Sequence, residues 1–157
     1  MKSTLYLLFF IGLSLGTGFL GSIATSESVA TWYRTISKPA WTPPDWVFAP
    51  VWSTLYIMMG IAAWLVWRRA GFTRPGYIAL AIFGAQLGLN FAWSVVFFGL
   101  ERPGPAFIEI VLLWMAILVT ILIFIRHSRS AALLLVPYLG WVTFAACLNF
   151  SIWRLNA

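Results

Sequence analysis

Ile117-Leu118-Val119-Thr120-Ile121-Leu122-Ile123-Phe124-Ile125 is apolar at consecutive positions save one threonine, and Leu5-Tyr6-Leu7-Leu8-Phe9-Phe10 has the same character. A strand of a membrane barrel faces lipid and lumen by turns, so its apolar residues fall on every second position. These runs do not alternate. In hydrocarbon every backbone N–H and C=O must be paired within the protein, which leaves the α-helix as the spanning element. Read for long apolar stretches bounded by charge, glycine and proline, the chain gives five, about 4–24, 47–67, 77–99, 105–125 and 131–153. Each meets the roughly 20 residues a membrane crossing needs. The sequence predicts an all-α integral membrane protein, a single domain over 1–157 built as a five-transmembrane-helix bundle. Three connections are short, so neighbouring helices pack antiparallel; only the first, 25–46, is long.

Composition agrees. Apolar residues make up 62% and charged residues 9% of the 157, and the mean hydropathy is +0.91; soluble domains hold about 25% charged residues. Five spans leave no room for an extramembrane catalytic domain. A single cysteine, Cys147, makes no intramolecular disulfide, and a single histidine, His127, leaves no multi-residue His/Cys metal site. The formal charge of +6 sits in or beside the gaps between spans, a topological signal and not a nucleic-acid patch. Lys2, Arg68, Arg69, Arg74, Arg126 and Arg129 fall on one side, Arg34, Lys38, Arg102 and Arg154 on the other. The larger group predicts a cytoplasmic N-terminus, with the first loop and C-terminus outside. Glu27, Asp45 and Glu101 also fall on the second side. Lys2, the first apolar run and Ser22-Ile23-Ala24 resemble a secretory signal, but the run exceeds the usual 7–15 residues. Its Gly12, Gly16, Gly18 and Gly21 suit close helix packing, and it is expected to stay as the first helix.

No Ser/His/Asp set, phosphate loop or dinucleotide fingerprint is present, and the four carboxylates are scattered. Tryptophan is abundant, at ten residues. Trp46, Trp64, Trp67 and Trp153 lie near span ends, where an interfacial aromatic belt explains them. Trp52, Trp93, Trp114 and Trp141 lie deeper or beside polar residues and are expected to face the bundle interior, since an unpaired indole N–H is costly there. Gln86 and Asn90 share one face of the third span with Trp93 and Phe97. Two readings stand open: interhelical hydrogen bonding, or a mostly apolar cavity with a few placed polar groups. Trp52 and Tyr56 on the second span, and Trp141, Ala145, Leu148 and Asn149 on the fifth, point to the same interior. Gly84 and Gly88 form a GxxxG on another face of the third span, a dimerisation signal. Pro137 is expected to kink or loosen the fifth span, and Glu109 to reach the interface or pair with Arg102.

The first loop reads Trp32-Tyr33-Arg34-Thr35-Ile36-Ser37-Lys38-Pro39-Ala40-Trp41-Thr42-Pro43-Pro44-Asp45-Trp46. Its WY…KPxWxPP pattern resembles the TspO/MBR family, the tryptophan-rich sensory and translocator proteins. Ala49-Pro50-Val51-Trp52-Ser53-Thr54-Leu55-Tyr56, Gln86-Leu87-Gly88-Leu89-Asn90-Phe91-Ala92-Trp93 and Pro137-Tyr138-Leu139-Gly140-Trp141 agree, and the match runs in order along essentially the whole chain. The resemblance implies a five-helix bundle, usually a homodimer, whose first loop lids a cavity for porphyrins such as protoporphyrin IX. Isoquinoline and benzodiazepine-type ligands are implied too; no further cofactor is required. By position the implied ligand residues are Ser22, Trp32, Trp41, Trp52, Tyr56, Asn90, Trp93, Trp114, Trp141, Ala145 and Leu148. Some family members promote light- and oxygen-dependent porphyrin breakdown, for which Trp52 and Trp141 would be the reactive pair. The family's sterol motif wants a tyrosine where this chain has Phe150, which puts sterol binding in doubt.

A porphyrin is a flat apolar disc with two carboxylates, so aromatic walls suit its face, while Arg34 or Lys38 at the lid is expected to meet the carboxylates. A receptor or sensor is the favoured expectation. A photo-oxidase and a porphyrin or sterol transporter are the alternatives; neither a dark acid–base set nor an inverted repeat is visible to support them.

Overall fold

Past Ala24 the sequence turns polar, yet the first helix continues. The hydroxyls of Thr25, Ser26 and Thr31 donate back to the carbonyl oxygens of Gly21, Ile23 and Glu27 at 2.8, 3.1 and 2.8 Å, so these side chains follow the helix instead of competing with it. In the computed structural model, which describes residues 2–157, α1 runs Lys2–Ala30 and not 4–24, and the expected long loop 25–46 contracts accordingly. A single helical turn follows, α2 (Trp32–Thr35), then an extended proline-rich stretch and a 3₁₀ turn, Asp45–Val47, leading into α3 (Phe48–Ala70). Gly71, at φ 57°, ends α3 in a backbone region that other residues adopt at a cost. Thr73 starts α4 (Arg74–Ser94), its hydroxyl accepting from the Gly76 amide, with Pro75 in the first turn where no backbone donor is needed. A π-helical turn, Val95–Gly99, prolongs α4; α5 (Pro103–His127) and α6 (Arg129–Leu155) complete the chain. Pro137 does not break α6, which runs through it.

Among the described residues five helices are long and apolar enough to cross a membrane. Their outward residues are apolar: Leu8, Phe19, Ile108, Leu122 and Leu133 are exposed, the pattern expected of side chains that meet lipid. The protein is an integral multi-pass membrane protein. Side chains from different helices fix which connections share an end. Asn156 and the backbone of Ser37 exchange two hydrogen bonds, of 3.0 and 2.9 Å, which ties the first loop to the C-terminus. At the other end the Trp64 indole donates to the Ser3 carbonyl, and the Arg69 guanidinium to that of His127, at 2.9 and 3.2 Å.

α1 packs on α3, α3 on α6, α6 on α5 and α5 on α4. The α1–α3 contact depends on Gly60. A Cβ built there would lie 2.5 Å from the Ile11 Cα and 2.9 Å from the Phe10 carbonyl carbon, backbone atoms that cannot rotate aside. Gly60→Ala is therefore expected to separate the two helices and cost about 1–3 kcal/mol, the usual range for overpacking. Gly12, with nothing within 4 Å of its built Cβ, serves as control. Thermal unfolding in detergent should show a lower midpoint for Gly60→Ala and an unchanged or slightly higher one for Gly12→Ala; equal midpoints would refute the close approach.

Candidate functional site

On α1, Leu15, Gly18, Ser22, Thr25 and Val29 recur at alternating spacings of three and four, which places them on one helix face. That face lines a cavity of about 650 Å³. Trp52 and Tyr56 of α3, Trp93 and Phe97 of α4 and its π turn, and Trp141 and Leu148 of α6 form the other walls. α5 contributes no wall residue; it packs behind α4 and α6. The π turn, closed by the Leu100 amide on the Val95 carbonyl at 2.8 Å, adds a residue to the helical repeat just where Phe97 and Phe98 enter the wall. Phe97 stacks on Trp93, with centroids 5.4 Å apart.

Polar groups at this depth are paired mainly with one another. The Tyr56 hydroxyl donates to the Asn90 carbonyl oxygen, and the Asn90 amide donates to the Tyr138 hydroxyl at 3.0 Å, so one side chain of α4 links α3 and α6. The Trp93 indole donates to Asn149 at 3.0 Å, and the Asn149 amide to the Pro103 carbonyl at 2.7 Å. Trp52 stacks on Tyr56 at 5.6 Å and meets Tyr138 edge-on at 6.2 Å. A Cβ on Gly18 would run into the Tyr56 ring, so a glycine here makes room for that ring. The Trp141 indole N–H is buried without an acceptor, and its ring packs against Phe48 and Phe144 at 5.9 and 5.3 Å.

The first loop closes over the α1 and α6 ends. Tyr33 lies in the cavity wall and packs edge-on to Phe98 at 5.3 Å, Trp32 does the same to Phe97 at 5.8 Å, and Trp41 to Phe144 at 5.7 Å. Burial, and after it the negative charge of Asp45, pushes the Tyr33 phenol up to about 12. Lys38 is turned onto Tyr33: its ammonium donates to the Tyr33 carbonyl and sits 4.2 Å from the ring centroid. Arg34 is exposed, and neither cation lines the cavity, contrary to the expectation that one would face a ligand there.

Of the residues expected from the sequence, Ser22, Trp52, Tyr56, Trp93, Trp141, Ala145 and Leu148 come together in the cavity wall. Asn90 lies one layer behind, holding Tyr56, while Trp32 and Trp41 pack against the aromatic residues noted above. Trp114 is placed elsewhere. It is on α5, and its indole donates to the Thr143 hydroxyl at 2.8 Å, so its need for a polar partner is met between α5 and α6 and not in the cavity. Glu109 does not pair with Arg102; both its carboxylate oxygens are buried without a hydrogen-bond partner. Gly84 and Gly88 lie on an exposed face of α4, opposite the buried Asn90, in a shallow groove beside Leu13, Thr17 and Leu20. Among the residues at or behind the wall that sequence reading passed over, the available signals differ. Tyr138 carries a signal, a phenol in mid-span that needs a partner; the α1 stripe carries another in its spacing; Asp45 carries none beyond its charge.

A five-helix membrane bundle with an aromatic-walled cavity under its first loop defines the class: an integral multi-pass membrane protein. The TspO/MBR family profile matches residues 10–154. The chain is 47% identical to the tryptophan-rich protein TspO of Archaeoglobus fulgidus over 143 residues, covering 91% of this chain and 92% of that one. It is 41% identical to the translocator protein of Homo sapiens over 144 residues, 91% of this chain and 85% of that one. It is 40% identical to a tryptophan-rich sensory protein of Cereibacter sphaeroides over 125 residues, 80% and 77% of the two chains. The chain belongs to the TspO/MBR family.

The Tyr56–Asn90–Tyr138 bridge is the polar joint of the cavity floor. Tyr56→Phe and Asn90→Leu, singly and combined, should show a coupling energy of about 0.6 kcal/mol and up to about 1.7, the range measured for hydrogen bonds between membrane helices. Reversible unfolding in mixed micelles gives the cycle, and strictly additive single effects would remove the bridge from the account.

Proposed function

We propose that this protein is a membrane receptor or sensor that binds protoporphyrin IX or a related flat hydrophobic ligand in the cavity beneath its first loop. The observation that carries the reading is the cavity itself: 650 Å³, within the roughly 300–1,000 Å³ usual for small-molecule sites, with Trp52 and Trp141 in its walls. Large apolar rings bury much area at little entropic cost and suit the faces of a planar ligand. The names of the relatives, sensory protein and translocator protein, support a sensing or receptor role. Isoquinoline and benzodiazepine-type molecules fit the same description; a sterol, lacking aromatic faces, is a poorer match.

A second reading is light- and oxygen-dependent breakdown of the bound porphyrin. It is favoured by two oxidisable indoles in the wall of one cavity, where a photoexcited ligand would touch them. Dark titration of protoporphyrin IX against intrinsic fluorescence should saturate in the wild type and weaken several-fold in Trp52→Phe combined with Trp141→Phe. Illumination in air should then bleach the porphyrin band more slowly in the variant. Unchanged affinity and bleaching would sink the role of both tryptophans.

We further propose that the cation-rich end is cytoplasmic and that a second copy packs on the Gly84/Gly88 groove. Lys2, Arg68, Arg69, Arg74, Arg126 and Arg129 gather at the end opposite the first loop, away from Glu27, Asp45 and Glu101. In a Cys147→Ser background, an impermeant thiol reagent on intact cells should label Ser37→Cys, whereas Ser130→Cys should react only after permeabilisation. The reverse pattern would invert the topology.

A further inference from the structure

Among the described residues lining the cavity, Asp45 is the one charged side chain. An acidic residue in the first turn of a helix is favoured by the macrodipole, which accounts for its compatibility with the 3₁₀ turn leading into α3. That does not account for its place in the wall of a cavity otherwise built of aromatic, aliphatic and neutral polar groups. The cations that share this end do not line the cavity: Lys38 is held by the Tyr33 carbonyl and ring, and Arg34, Arg102 and Arg154 lie outside the wall. Tyr33, beside Asp45 in the wall, senses its charge. A ligand that fills the aromatic interior and reaches the rim therefore meets a negative group there.

We infer that Asp45 is a specificity-determining residue that favours flat aromatic ligands carrying a cationic edge and disfavours those presenting a carboxylate to it. This rests on the reading of the cavity as a ligand site. It deepens that reading, because a dicarboxylate such as protoporphyrin IX then binds with its acid groups turned away from Asp45. The contribution is modest, since Asp45 is exposed at the rim and an exposed ion pair is worth a few-fold in affinity at most.

Three flat tricyclic probes of similar size separate charge from shape: 9-aminoacridine, a cation at neutral pH; acridone, neutral; and 9-anthracenecarboxylate, an anion. Each is titrated against intrinsic tryptophan fluorescence of the full chain in neutral detergent at low ionic strength. The wild type should bind them in the order cation, neutral, anion. Asp45→Asn should leave acridone unchanged, which also reports an intact cavity, while weakening 9-aminoacridine and tightening the anthracenecarboxylate by about two- to fivefold. Asp45→Glu should keep the wild-type order, and salt should compress it. An order absent from the wild type, or one that survives in Asp45→Asn, overturns the assignment, as does the lack of saturable binding by all three probes. Protoporphyrin IX is titrated in parallel. Porphyrin binding without a charge order retains the tetrapyrrole reading and rejects Asp45; a charge order without porphyrin binding does the opposite.

Discussion

An amide side chain in the middle of a membrane helix has four hydrogen-bonding positions and no water to fill them, and the arrangement around Asn90 follows from that constraint. Its oxygen accepts from Tyr56 on α3 and its nitrogen donates to Tyr138 on α6, so three helices are held at one level by groups that lipid cannot satisfy. The two phenols are held in turn, and their rings become fixed surfaces. Trp52 lies against both. Tyr56, the member of this bridge that lines the cavity, is thus a floor set by the pairing of polar atoms behind it.

Why a cavity remains above this floor is a matter of how α1 is laid against the rest. In its N-terminal half α1 lies against the α3 backbone at Gly60, with no room between them for a Cβ. Further along, the stripe from Leu15 to Val29 carries small residues, Gly18, Ser22 and Thr25, toward the bundle interior, and these do not fill the space that Trp52 and Trp141 frame from the other side. Thr25 folds its hydroxyl onto its own helix, so the α1 wall is less polar than its sequence suggests. The first loop closes the open end through aromatic edges and the reciprocal Asn156–Ser37 amide pair, which fixes the lid to the last turn of α6.

Much of this was legible in the sequence, and the exceptions have physical causes. Five spans follow from runs such as Ile117 to Ile125 because length and consecutive apolarity are properties of the chain itself. Helix ends are less legible: the polar residues after Ala24 read as loop, but their hydroxyls bond within α1 and extend it to Ala30. Trp52, Tyr56, Trp93 and Trp141 were identifiable because large aromatic side chains deep in a span or beside polar residues suit the bundle interior, although the Trp141 N–H finds no acceptor there. The same logic misplaced Trp114, since Thr143 on the neighbouring helix satisfies it just as well. Depth in a span says that a polar atom faces protein, not which protein surface it faces. Lys38 misled for a related reason: a cation beside a cavity was expected to await an anion, yet the Tyr33 carbonyl and ring occupy it.

The pairing of polar groups also bears on what the cavity can do. A general acid or base has to present its proton to a ligand, but the hydroxyls of Tyr56 and Tyr138 and the amides of Asn90 and Asn149 are bonded to one another or to backbone. What faces the interior is mainly ring surface. In an apolar pocket one methylene more or less is worth only about 1–3 kcal/mol, so Asp45, the one charged group among the described lining residues, stands out against the rest of the wall. Trp52, Tyr56 and Trp141 share that wall, and Tyr138 meets Trp52 edge-on at 6.2 Å. Under the proposed function, binding and photochemistry would be two outcomes of one set of aromatic contacts, separated by whether the bound molecule absorbs light.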